Sequence, residues 1–279
     1  MARYRFALQP KWILSHLFVA AMVVTMIALG FWQLDRLDQR KDRNAEVSAR
    51  TAEPVVDVAE LGVGPGDFDG APDLEFRRAA ATGTYRADEE VIVRSRSLNG
   101  AAGSWVLTPL EADDGTVVVV NRGWIPNAGQ FDAVPDEFAA PDGQVTVEGL
   151  VRETETRGSI GATDPDEGTL TDLARADVAR MDQQTEGDVL PFWLQLQTQD
   201  PAVSGEDPTP VPAPGLDEGP HLSYAVQWFT FSAMTVVVYA LILRRRAREI
   251  EREAREAELD QPDPGDVPGP GDPRLDAPV

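Results

Sequence analysis

The chain contains no cysteine, which excludes disulfides, thiolate metal sites, a cysteine nucleophile and c-type haem attachment together. Histidine is nearly as scarce: His16 and His221 are the two in 279 residues. Both lie outside the stretch from Asp35 to Pro220, so that stretch cannot build a histidine-dependent triad or an imidazole metal site. Lysine is also absent from it beyond Lys41. Its many carboxylates are spread among turn segments, the pattern of a solvated acidic surface rather than of a catalytic constellation. The expectation is that the protein is not an enzyme. Positive charge is in deficit as well, with a formal net charge of −22. No nucleic-acid partner is expected, because phosphate binding depends on a basic patch.

What the chain does have is two long uncharged apolar runs. His221 to Leu243, HLSYAVQWFTFSAMTVVVYALIL, is 23 residues without Asp, Glu, Lys or Arg, closed by Arg244, Arg245, Arg246 and Arg248. At about 1.5 Å of rise per residue a helix of that length crosses a hydrocarbon core of roughly 30 Å. Trp12 to Leu34 is a second uncharged run of 23 positions. A signal peptide is the rival reading for it, but the run is longer than a secretory h-region of about 7 to 15 residues and lacks a small-residue cleavage site, so it reads as a retained anchor. The arginines after the second run, against a stretch from Met181 to Leu243 with no Lys or Arg, place the C-terminus in the cytoplasm by the positive-inside rule. With two spans the N-terminus is cytoplasmic too, and Arg3 and Arg5 near the start point to a bacterial plasma membrane rather than a mitochondrion.

The expected organisation is a cytoplasmic N-terminus (1–11), transmembrane helix 1 (12–34), an extracytoplasmic β-rich domain (35–199), a Pro-rich linker (200–220), transmembrane helix 2 (221–243) and a cytoplasmic charged helix with a disordered tail (244–279). Asp35 to Arg50 is free of Pro and Gly and predicts that the first helix continues beyond the bilayer until Pro54. Short β-rich runs follow at Glu75–Tyr85, Glu90–Arg96, Ser104–Glu111, Thr116–Asn121, Gln144–Arg152 and Val189–Thr198, punctuated by Gly and Asp-Gly turns. They predict a mainly antiparallel sheet curled into a barrel or sandwich. Leu170 to Gln184 is the one helix expected inside this domain. The Gly/Pro/Asp stretch around 57–73 reads as an acidic loop, and beyond Arg248 the pairs Glu251/Arg255 and Arg252/Glu256 support a solvated helix.

Three motifs stand in order along this frame. Gly30-Phe31-Trp32-Gln33-Leu34-Asp35-Arg36 closes the first span. Gly83, Tyr85, Gly103, Pro109 and Gly115 lead to Val120-Asn121-Arg122-Gly123-Trp124-Ile125-Pro126, and His221-Leu222-Ser223-Tyr224-Ala225-Val226-Gln227-Trp228-Phe229 opens the second span. Together they resemble the Surf-one family (surfeit locus protein one), whose members are assembly factors of haem-copper cytochrome c oxidase. The likeness covers nearly the whole chain except the tail, and it departs from a typical member in the acidic loop, the Pro-rich linker and the tail. It implies haem a as a transiently bound cofactor, with the oxidase catalytic subunit and haem a synthase as partners besides membrane lipid.

Physical chemistry gives each marked residue two readings. Trp32 lies where amphipathic rings anchor helices at the headgroups. Arg122 follows four valines at a strand end, so it either satisfies loop carbonyls or pairs with a ligand carboxylate. His221, Tyr224 and Trp228 fall at i, i+3 and i+7 and share one helical face. His221 either wets the helix start or is an axial ligand to haem iron, with Trp228 as an aromatic wall. The resemblance favours the ligand; Tyr224 and Trp228 on the same face, and Arg122 through its guanidinium, are the further candidate cofactor-binding residues. His16, toward the opposite leaflet, cannot share one iron with His221. Two functions stand: a haem a carrier that aids insertion into the catalytic subunit, or a membrane-tethered scaffold that binds an oxidase subunit without haem.

Overall fold

A computed structural model describes residues 2–68, 71–126, 133–159, 161–202 and 208–259. The tail expected to be disordered, Gln261 to Val279, and parts of the acidic loop and Pro-rich linker lie outside the described residues. The chain divides into two units, Met1–Lys41 with Glu218–Val279, and Asp42–Asp217.

The first unit is built on two helices. α1 runs from Pro10 to Ala52, its last residues belonging to the second unit. Proline suits the first helical position because its missing N–H would be unpaired there anyway. As expected, the helix continues past Leu34 and ends just before Pro54. Beyond the apolar run, Gln39 Nε2 donates to Asp35 Oδ2, Arg36 Nη1 donates to Gln39 Oε1, and Arg50 pairs with Glu46 at i, i+4. The other helix of this unit starts at His221 and ends at Leu259, with Ser223 Oγ and the Tyr224 N–H both donating to the Pro220 carbonyl at its start. Arg245, Arg246 and Arg252 pair with Glu249 and Glu256 along its charged end. Both helices are long and apolar enough to cross a membrane, and only 6% of each apolar window is buried. That exposed apolar surface is what a pair of membrane-spanning helices presents to lipid. Before α1, a short 3-10 segment, Ala2–Leu8, tucks Phe6 edge-on against Trp12.

The second unit is an eight-stranded sheet. Its strands are β1 (Val56–Asp57), β2 (Arg78–Tyr85), β3 (Val91–Leu98), β4 (Ala101–Ala112), β5 (Thr116–Pro126), β6 (Gln144–Glu153), β7 (Asp172–Leu173) and β8 (Asp188–Asp200). The order is β1-β2-β6-β8-β5-β4-β3-β7, and a further pairing of β2 with β4 closes β2, β6, β8, β5 and β4 into a ring. The expected barrel is present and most of its ladders are antiparallel, as expected, but the sheet is mixed. β5 runs parallel to β8, β1 to β2 and β7 to β3.

Alternation explains the packing. Val118 and Val120 point into the barrel with Leu110, Val147, Phe192 and Leu194. Val117 and Val119 point the other way, onto Val91, Leu107, Met181 and Trp193. Both faces of β5 are buried, so its sequence reads as a continuous apolar run. The cover over the outer face is α2 (Val178–Asp182), capped by the Asp177 side chain accepting from the Arg180 N–H.

α2 corrects the expected helix at Leu170–Gln184. The backbone N–H groups of Ala174, Ala176 and Val178 are taken, at every second residue, by Asp164, Glu155 and Thr154 side chains. Asp172 and Leu173 meanwhile pair with Ile92 and Val93. External partners at alternate positions hold this segment extended until the Asp177 cap releases it into one short turn.

At the edges β1 and β7 are two residues each. The part of β3 beyond β7 carries a register shift between Val93 and Arg96 and a positive φ of 60° at Ser95. Arg94 pairs there with Asp164 and Asp172, and Arg96 with Glu155.

The linker lies on this unit as a strap. Trp124 and Thr209 exchange backbone hydrogen bonds of 2.7 and 2.8 Å, and Gln195 Nε2 donates to the Val211 and Pro212 carbonyls. Farther on, Asn44 Nδ2 donates to the Leu216 carbonyl.

Candidate functional site

In the first unit, α1 and the second apolar helix, called α3 from here (His221–Leu259), bring the first and third motifs together. His221 Nδ1 lies 2.8 Å from Gln33 Oε1. With the amide oxygen as acceptor, Nδ1 is the donor in this contact, and in the neutral ring Nε2 is then the nitrogen able to ligate. Gly219, at φ +72°, offers no side chain to the Nε2 side: a Cβ there would stand 3.4 Å from His221 Cδ2 and Nε2. The pattern repeats down the helix pair. Phe31 meets Phe229 edge-on at 5.4 Å, and Gly30 lies directly against the Phe229 ring.

Two turns inward from His221, Trp228 faces an apolar groove of about 360 Å³ with Phe18, Ala21, Met22, Thr25, Met26 and Leu29 of α1. Its ring meets Phe231 edge-on at 6.2 Å. His221 and Trp228 are both half-buried toward α1. Tyr224, expected on the same face, turns outward and is 47% exposed. Trp32 is also exposed at 48%, with the Arg36 guanidinium 5.5 Å from its ring centre, as suits an interfacial anchor.

His16 is spent on structure. Its Nε2 lies 3.2 Å from the Ala7 carbonyl and its Nδ1 2.7 Å from Tyr239 Oη, which is 3.0 Å from Ser15 Oγ. With both nitrogens engaged, it ties the 3-10 segment to the helix pair and has no lone pair to offer a metal. The donor set therefore fits a haem held from one side: one imidazole whose Nδ1 is engaged by Gln33, a glycine rather than a side chain beside Nε2, and an apolar groove beside an indole two turns farther along the helix. Among the described residues no group of three or more His, Asp or Glu could hold a bare metal ion.

Arg122 belongs to the second unit. It is 4% exposed, and its Nε donates to Thr108 Oγ1 at 2.9 Å while Nη2 donates to Glu90 Oε2 at 3.1 Å and to the Phe138 carbonyl at 2.7 Å. Thr108 Oγ1 also donates to Glu90 Oε2. Burial pushes the Glu90 carboxyl up from its ordinary value, against the opposing pull of Arg122 and Thr108. Both roles open to Arg122 in the sequence have a counterpart. A loop carbonyl is satisfied, and the side chain also lines a cavity of about 160 Å³ with Leu196, Gln197, Thr198, Gln199 and Pro210. Its carboxylate partner within the protein is Glu90, however, and no motif marked Glu90 as such.

Gln33 is the other residue that sequence reasoning passed over. It stands inside the first motif, and the available signal was a lone amide in an uncharged run one residue from its end. Such a group in an apolar span needs a partner.

The family model described as the SURF1 family matches residues 20–233. An uncharacterised SURF1-like protein of Mycobacterium tuberculosis (strain ATCC 25618 / H37Rv) is 30% identical over 254 residues, covering 88% of this chain and 90% of its own. A SURF1-like protein of Monosiga brevicollis is 29% identical over 236 residues, covering 80% and 85%. One of Rickettsia felis is 25% identical over 236 residues, covering 82% and 97%. The match spans both apolar helices' facing motifs and the whole barrel between them, and the chain belongs to the SURF1 family.

Proposed function

We propose that this protein is a non-enzymatic assembly factor for haem-copper cytochrome c oxidase that receives haem a at His221 and aids its insertion into the catalytic subunit. The observation that carries the reading is the His221–Gln33 contact of 2.8 Å, which leaves a single imidazole nitrogen available as an axial ligand. Haem a is the cargo here, not a resident cofactor. One protein imidazole suits a carrier, because a receiving protein can offer its own ligand before the first is lost. Trp228 and the apolar groove beside it would receive the macrocycle. On this reading haem a synthase supplies the cargo in a bacterial plasma membrane, both termini are cytoplasmic, and the barrel lies outside.

The test is purification of the full-length protein in detergent from cells that make haem a. The expected result is an absorbing complex from which His221→Ala loses most of the haem while the protein stays folded, and in which His16→Ala retains it. Full occupancy and an unchanged spectrum in the His221 variant would overturn the site. A folded wild-type protein that never carries haem would instead favour a tethered scaffold for an oxidase subunit.

A further inference from the structure

The contact between His221 and Gln33 does more than join two helices. We infer that Gln33 is a positioning residue for the haem site: its amide oxygen holds the His221 ring in one tautomer and one orientation, with Nε2 presented as the ligand. The inference rests on the proposed reading of His221 and deepens it.

Four features carry it. Imidazole has two nitrogens, and whichever bears the proton cannot ligate. Nothing in α3 itself fixes that choice, because the hydrogen bonds at the start of the helix involve Ser223 Oγ and the Tyr224 N–H, not the ring. Gln33 Oε1, at 2.8 Å from Nδ1, fixes it from the opposite helix. The helix pair is tightly packed beside this contact. Gly30, one turn before Gln33, admits the Phe229 ring against the backbone of α1, and Ala225, one turn after His221, is 1% exposed. A glutamine carried on a rigid helix one turn from such a contact has little freedom to swing away. Hydrogen bonding at the distal nitrogen also makes the ligating nitrogen a stronger donor, and partners of this kind are typically worth about 10–100-fold in metal affinity. The arrangement contrasts with His16, whose two nitrogens are both consumed.

The experiment compares full-length wild type, Gln33→Leu, Gln33→Glu and His221→Ala, each purified with haem a and measured for haem per protein. The iron–histidine stretching band of the reduced form is recorded by resonance Raman scattering. Gln33→Leu is expected to weaken haem binding about 10–100-fold and to lower the stretching frequency of the remaining complex. Gln33→Glu keeps an acceptor against Nδ1 and is expected to retain haem while raising the frequency. A residue that only packed the helices would change the yield of folded protein and leave the band where it was. If Gln33→Leu does not accumulate, the band of Gln33→Glu decides, and an unmoved band overturns the inference. If His221→Ala loses haem while both Gln33 variants keep wild-type affinity and frequency, the positioning role fails and the ligand stands. If His221→Ala keeps its haem, the ligand itself is wrong.

Discussion

Gly30 of α1 and Phe229 of α3 meet with no room between them: a Cβ on Gly30 would sit 2.7 Å from both Cε1 and Cζ of the phenyl ring. In most helix interiors a Gly→Ala change gains about 0.5–1 kcal/mol. Here the sign should reverse. Gly30→Ala is expected to lower the melting temperature of the detergent-solubilised protein, and Gly30→Val to lower it further, by the ~1–3 kcal/mol typical of overpacking. An unchanged or higher melting point for the alanine variant would show that the Phe229 ring yields freely.

Gly123 is constrained for a different reason. Its φ is +144°, and a Cβ would fall 2.7 Å from the Pro208 and Thr209 carbonyl oxygens, where the linker strap crosses β5. Gly123→Val therefore meets backbone on one side and a disfavoured dihedral on the other, a strain on the order of 1–3 kcal/mol before any clash is counted. The variant should accumulate poorly or expose the Pro-rich linker to protease. Normal accumulation with wild-type protease resistance would show that the strap shifts without cost.

The Glu90–Arg122 pair gives a pH signature. Burial holds the Glu90 carboxyl above its ordinary value of 4.5 in the folded protein. A raised folded value means that its contribution to stability is complete below 4.5 and declines as pH rises through the folded value. Thermal melts of wild type and Glu90→Gln across that window should show wild type losing ground to the variant as pH increases. The opposite trend, with wild type gaining toward neutrality, would mean that Arg122 outweighs the burial.

The orientation in the membrane is open to direct labelling. A single cysteine at Asp142, on the surface of the barrel unit, should react with an impermeant thiol reagent on intact cells. One at Ala277 should react only after the cells are opened. The reverse pattern would invert the proposed topology.

Local periodicity made much of this architecture legible. Four consecutive valines, Val117 to Val120, announce a strand, and the apolar runs announce the helices with their extensions. The parallel pairing of β5 with β8 was not legible, since Val119 meets Trp193 across a separation that no short-range pattern encodes. Nor was the extended course of the 170–178 segment, whose helical look is overridden by side chains from Thr154, Glu155 and Asp164. At the site, His221 stood out because histidine is so rare. Gln33 and Glu90 did not, because the partner of a polar residue is a fact of three-dimensional proximity: 188 positions separate Gln33 from His221, and 32 separate Glu90 from Arg122.

The closed ring of β2, β6, β8, β5 and β4 has a bearing on how any partner must engage the barrel unit. A sheet sealed on itself leaves little backbone free along those strands, and the end of β5 at Trp124 is already taken by Thr209 of the linker; among the described residues the other margins are the dipeptides β1 and β7 and a β3 edge broken at Ser95 and flanked by Arg94 and Arg96. Such margins discourage strand addition and the self-association that grows from it. Recognition of this unit must therefore be written in side chains, and a substitution confined to one surface patch should be able to abolish docking while leaving the barrel intact.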